Sequence, residues 1–205
     1  LIDADWTDTA CFVKQTGLLH IENEKSRESI WRKISENVES YVAHLPYRYD
    51  IDNVRKAISA QCHEAGKNME PGIYRLYVPT GGGKTISGLR FCVEMAKRHN
   101  AQHVFYFSPY KSITRQNAEV IRKAVGRDEY VLEHHSDVVI DNEDSEGNER
   151  WLSSSARWQG TPVICTTMVQ MLNTLFAAPR QNVRRMSALA GSILLFDEIQ
   201  ALPRK

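Results

Sequence analysis

Apolar residues recur at helical spacing from Ser26 to Leu45, where Ile30, Ile34, Val38, Tyr41 and Leu45 are separated by charged positions. That is the pattern of an amphipathic helix. Pro46-Tyr47-Arg48 then reads as a turn. A second helical pattern follows through Val54, Ala57, Ile58, Gln61, Cys62 and Ala65 and ends near Gly66. Beyond Gly66 the period switches repeatedly. The run from Gly72 to Val78 alternates in polarity and is rich in β-formers, which predicts a strand over 73–78. Further strands are predicted over 103–107, 162–166 and 192–196, with a short one at Tyr130-Val131-Leu132. Helices are predicted over 84–98, 112–125, 167–176 and 182–189. Strands alternating with helices imply an α/β fold with a parallel sheet flanked by helices, preceded here by a short, mostly helical segment. Ser192 to Phe196 is a continuous apolar run, as expected of a central parallel strand. Asp141 to Arg150 is polar and acidic and reads as a solvated loop.

Two junctions in this pattern carry chemistry. Between the strand at 73–78 and the helix at 84–98 lies Val78-Pro79-Thr80-Gly81-Gly82-Gly83-Lys84-Thr85. Three glycines let the backbone turn tightly with its N–H groups aimed at phosphate oxygens, and a helix N-terminus adds partial positive charge. Lys84 is placed to reach the β- and γ-phosphates of a nucleoside triphosphate, and the Thr85 hydroxyl to ligate Mg2+. The general pattern G-x-x-x-x-G-K-[ST] is not met in full, because its first glycine position is Val78. The second junction is Asp197-Glu198, at the C-terminal end of the last apolar strand, where open α/β sheets place their ligands. Asp197 is the expected second Mg2+ ligand and Glu198 the group that activates water. A surface acidic pair capping a following helix is the plainer reading of the same residues. Their position downstream of a phosphate loop favours catalysis.

Composition limits the partners. The chain has 205 residues and a net charge of +1, with a mean hydropathy of −0.43. Near-neutral charge argues against a protein that coats nucleic acid electrostatically, and leaves room for a local basic groove. No apolar stretch approaches a membrane span, and residues 1–20 lack the pattern of a signal peptide. Cys11, Cys62, Cys92 and Cys165 are widely spaced and form no C-x-x-C, which suits free thiols in a reducing cytoplasm. His134-His135 has no third ligand close by in sequence and reads as a packing pair.

Together the motifs resemble a known family. Thr80 to Thr85 has the T-G-x-G-K-T form of helicase phosphate loops. Pro109-Tyr110-Lys111-Ser112-Ile113 with Gln116-Asn117, Leu132-Glu133-His134-His135-Ser136, and Asp197-Glu198-Ile199-Gln200-Ala201-Leu202-Pro203 follow in order. This series is similar to the CRISPR-associated helicase–nuclease of type I systems, which joins an HD-type nuclease domain to a superfamily 2 helicase of two RecA-like domains. The resemblance implies a RecA-like, P-loop NTPase sheet and an ATP-driven DNA translocase that feeds a metal-dependent nuclease acting on single-stranded DNA. It also implies recruitment to an RNA-guided CRISPR surveillance complex in antiviral defence.

Residue by residue, the resemblance implies strand-gripping roles for Lys111, Ser112 and Gln116, and for Thr166 and Thr167 in Cys165-Thr166-Thr167-Met168-Val169-Gln170. Ordinary helix caps are the alternative for both segments. Asn53, Arg55 and Gln61 occupy the place where such helicases recognise adenine. Leu1-Ile2-Asp3-Ala4-Asp5 matches the last metal-ligand motif of the nuclease, with Asp5 as the ligand, Asp3 as second choice, and a divalent transition metal as the ion. The chain has no His-Asp dipeptide, so the remaining ligands of that site are not among its residues. On this basis residues 1–48 are expected to be the C-terminal remnant of the nuclease domain plus a linker helix. Residues 49–205 are expected to be most of the first RecA-like domain, truncated after the Asp-Glu motif, with slow hydrolysis at best in isolation. The alternatives are another superfamily 2 helicase or a catalytically silent nucleotide-binding interaction module. The Glu198-Ile199-Gln200 run argues against RNA helicases, which typically show Asp-Glu-Ala-Asp there.

Overall fold

A computed structural model describes residues 24–135, 158, 160–176 and 183–201. Its strands are β1 (Val104–Ser108), β2 (Val131–His134), β3 (Val163–Thr167) and β4 (Ile193–Phe196). Its helices are α1 (Glu24–Ala43), α2 (Ile51–Asn68), α3 (Lys84–His99), α4 (Lys111–Val125), α5 (Met168–Phe176) and α6 (Val183–Leu189). The strands form one sheet in the order β2-β3-β1-β4, and every pairing is parallel. Apart from the segment at 73–78, each predicted strand and helix is present, with its ends within a few residues of the expected ones.

Alternation along β1 explains the layering. Val104 and Tyr106 point to one face, where they join Trp31, Ile34 and Val38 of α1, Leu89 and Val93 of α3, and Ala118 and Ile121 of α4. Phe105 and Phe107 point to the other face and pack with Trp158, Ile164, Met168 and Ala188. Phe107 stacks on Phe196 of β4, with ring centroids 5.0 Å apart. Both faces of β1 and β3 are thus covered, as a parallel sheet requires, whereas β4, expected at the centre, is the edge strand among the described residues and leaves Leu194 exposed.

The helix expected as a linker, α1, is built into the larger of these two cores. Trp31 is fully buried, and its indole N–H donates to the Ala101 carbonyl at 2.8 Å. Charge also ties α1 to α2 and α3. Arg90 pairs with Glu39, donates to Ser59 at 3.0 Å, and meets His63 Nδ1 at 2.9 Å. Buried Glu94 accepts from the Ser35 hydroxyl at 2.5 Å, and Lys97 Nζ lies 2.5 Å from its other oxygen.

One predicted strand is absent. Residues 73–79 form neither strand nor helix, Ile73 is fully exposed, and Tyr77 is 82% exposed. Alternating polarity suits a pleated, half-buried surface, but a strand also needs a hydrogen-bonding neighbour. Among the described residues, none pairs with this segment.

Candidate active site

The phosphate loop keeps its turn without that strand. Gly81 and Gly83 have φ of 80° and 79°, a left-handed conformation that costs other residues energy. Gly83 is the N-cap of α3. The helix begins at Lys84 and has no acidic residue in its first turn, so its free N–H groups and Lys84 together make an electropositive end. At its other end α3 closes on Asn100 in the left-handed region, after Lys97, Arg98 and His99 in the last turn.

The carboxylates arrive from the sheet. Asp197 follows β4, and its backbone N–H donates to the Phe107 carbonyl at 2.9 Å, which fixes it beside the end of β1. Glu198 has φ of 53°, a strained value for a residue with a side chain. Its Oε1 lies 3.4 Å from Lys84 Nζ, and Gln200 Nε2 donates to its Oε2. The Thr85 hydroxyl donates to Asn117 Oδ1 at 3.2 Å. Asn117 Nδ2 donates to Asp197 Oδ2 at 3.3 Å, and the Tyr106 hydroxyl donates to the same oxygen at 3.0 Å. Burial first, and then the Asp197 charge, push the Tyr106 hydroxyl above its ordinary pKa, so it remains a donor.

The fold therefore gathers Lys84, Thr85, Asp197 and Glu198 at one place. A hydroxyl and a carboxylate oxygen are the hard donors that Mg2+ prefers. The hydrogen bonds to Asp197 fall on Oδ2, which leaves Oδ1 for a cation. The residues fit an ATP–Mg2+ pair.

Other expected residues fall in different places. Arg55 donates from Nε to the Gly81 carbonyl at 2.7 Å and pairs with Asp52 at 2.8 Å. Asp52 in turn accepts from the Arg48 and Tyr49 N–H groups, and these bonds, with Arg55, hold its carboxyl below the usual range. Arg55 thus braces the phosphate loop. Gln61 is exposed and lies six residues further along α2, about 240° around the helix from Arg55, so it does not share that face. Lys111, Ser112 and Gln116 are all exposed at the start of α4. Thr166 and Thr167 are buried. The Thr166 hydroxyl donates to the His134 carbonyl at 2.7 Å, and that of Thr167 accepts from the Gln170 N–H at 3.4 Å as a cap of α5. Fully buried, Thr166 has no surface to offer a DNA strand. His134 packs edge-on against Trp158, and His135 Nε2 lies 2.8 Å from Glu133 Oε1. Asp3 and Asp5 lie outside the described residues.

Tyr106 and Asn117 were not foreseen at this site. The available signal was a polar side chain on an apolar face. Asn117 shares the buried stripe of α4 with Thr114, Ala118, Ile121 and Ala124, and Tyr106 sits between two phenylalanines. Buried polar groups need partners.

A parallel sheet with helices on both faces, a glycine loop leading into a helix and a carboxylate pair at a strand end define a RecA-like P-loop NTPase. Residues 54–205 match the DEAD/DEAH box helicase family, and the chain belongs to that family. It is also similar to the CRISPR-associated nuclease/helicase Cas3 of Haloferax volcanii, with 26% identity over 205 residues, covering 83% of this chain and 22% of that protein. The chain thus spans about a fifth of the length of the relative it matches. Among the described residues, no helix is long and apolar enough to cross a membrane.

Proposed function

We propose that this chain binds ATP with Mg2+ between Thr80–Thr85 and Asp197-Glu198, and that hydrolysis there drives movement along a single DNA strand. The observation that carries this reading is the convergence of Lys84, Thr85, Asp197 and Glu198, with Lys84 and Glu198 lying 114 residues apart in sequence. Backbone N–H groups of Gly81 to Gly83 cradle the phosphates. Lys84 offsets the charge of the β- and γ-phosphates. Thr85 and Asp197 would hold the ion, which would supply positive charge to offset the charge developing on the phosphates. Glu198 orients and deprotonates the attacking water. Arg55, seated on the phosphate loop, is positioned to sense the bound nucleotide. Lys111, Ser112 and Gln116 present hydroxyl, amide and ammonium groups together on the exposed start of α4, which suits contacts to a phosphate backbone without base reading. Thr167 adds its helix cap nearby.

The wider activity follows from likeness to Cas3. By that likeness the protein works in CRISPR defence with an RNA-guided surveillance complex in the cytoplasm. Asp5 then belongs to a nuclease site for a divalent transition metal. The experiment is ATP hydrolysis with and without single-stranded DNA by the protein that carries these residues. The expected result is stimulation by DNA that Lys84→Ala abolishes. Hydrolysis unchanged by that substitution would contradict the reading.

A further inference from the structure

We infer that Asn117 is a positioning residue of the metal site, setting the distance and orientation between the Thr85 hydroxyl and the Asp197 carboxylate. The inference rests on the ATP–Mg2+ reading of those two residues. The Asn117 amide hydrogen-bonds both of them, one through each of its ends. Its amide can bond them in one sense only. Oδ1 must face the Thr85 O–H and Nδ2 must face the carboxylate, because the flipped amide sets oxygen against oxygen.

A second donor fixes the same carboxylate. Tyr106 donates to the Asp197 oxygen that Asn117 holds. Asn117 is 8% exposed and Tyr106 is 1% exposed, so water does not compete strongly for these groups. Two donors on Oδ2 hold the carboxylate plane and turn Oδ1 outward. The Thr85 hydroxyl, with its hydrogen committed to Asn117 Oδ1, offers a lone pair to a cation. Partners that orient a ligand in this way tune affinity for the ion.

The test is Mg2+ titration of the binding of a slowly hydrolysed fluorescent ATP analogue, mant-AMPPNP, to the wild-type chain, Asn117→Ala, Asn117→Asp and Tyr106→Phe. Asn117→Asp keeps the acceptor for Thr85 and loses the donor to Asp197. Tyr106→Phe removes only a hydroxyl and covers the case in which the Asn117 variants fail to fold. The half-saturating Mg2+ concentration should rise about tenfold or more in the Asn117 variants and about threefold in Tyr106→Phe, while affinity in EDTA stays within twofold. A purely structural role would weaken binding equally with and without Mg2+, and that result overturns the inference. So does an unshifted Mg2+ dependence in folded variants. If the wild-type chain binds no analogue under either condition, the nucleotide reading itself fails, and the inference with it.

Discussion

Lys84 and Glu198, 114 residues apart in sequence, meet with Nζ 3.4 Å from Oε1. One opens the helix behind the phosphate loop, and the other lies just past the last strand of the sheet. The contact brings the start of α3 against the residues that follow β4. It also brings the group expected to bind phosphate within reach of the group expected to activate water. The positive φ of Glu198 adds local strain, of the kind that persists where the surroundings fix a functional side chain.

If Glu198 is the base, Glu198→Gln keeps the shape and removes the proton acceptor. We predict ATP hydrolysis down by about a hundredfold or more, with ATP affinity within a few-fold of wild type. Steady-state hydrolysis and equilibrium binding check this together. Loss of binding in parallel with hydrolysis contradicts the assignment.

The turn at Gly83 is a backbone requirement. A Cβ there meets Arg55 only at ordinary contact distance, 3.7 Å from Cγ, so the cost of Gly83→Ala lies in its φ of 79°. We predict a loss of roughly 1–2 kcal/mol in unfolding free energy, with weaker nucleotide binding. Urea unfolding measures the first, and an unchanged midpoint argues against strain there.

The helix α1 acts as part of the core. Trp31→Ala should cost about 3–5 kcal/mol. Trp31→Phe should cost about 1–2 kcal/mol, mainly because the Ala101 carbonyl loses its donor. The same unfolding measurement separates them. Equal and negligible losses would show α1 to be dispensable.

Periodicity alone located β1, β3 and β4 and the helices between them, because each buries a face that only one period can supply. It failed at 73–78, where alternation is present but no strand among the described residues pairs with the segment. Lys84, Thr85, Asp197 and Glu198 were legible because each sits where a strand ends or a helix begins. The burial of Thr166 was not legible, because a hydroxyl at such a junction looks the same in sequence whether it faces solvent or a neighbouring carbonyl. Asn117 was quoted in its motif beside Gln116 but given no role at this site, since sequence does not show that one step along a helix turns a side chain from solvent into the core.

Three histidines make the fold acid-sensitive. Burial is the first cause that lowers the pKa of His63, His103 and His134. For His63 the Arg90 and Lys67 charges add to it, while Glu39 and Glu94 oppose. For His134, the Arg185 and His135 charges add to burial and the pKa falls to about 3. Arg185 lies 3.5 Å from His134 Nε2, which suits a neutral ring that accepts. A depressed folded pKa means stability that is full above about pH 6.5 and lost as pH falls toward the folded value. Glu94 adds to the loss at lower pH. Its burial favours the neutral acid, but Lys97 and Ser35 outweigh that and hold its pKa below normal. The urea midpoint should be lower at pH 5.5 than at pH 7.5, and His134→Asn should shrink the difference. Equal midpoints would contradict this.

The central claim, that this is a triphosphate site, is tested most directly by equilibrium binding of ATP and AMP, with Mg2+, to the wild-type chain and to Lys84→Ala. The account predicts that wild type prefers ATP, and that Lys84→Ala weakens ATP binding by about tenfold or more, as expected for loss of a charge-assisted contact, while leaving AMP binding unchanged. ATP affinity equal in the two proteins would contradict it.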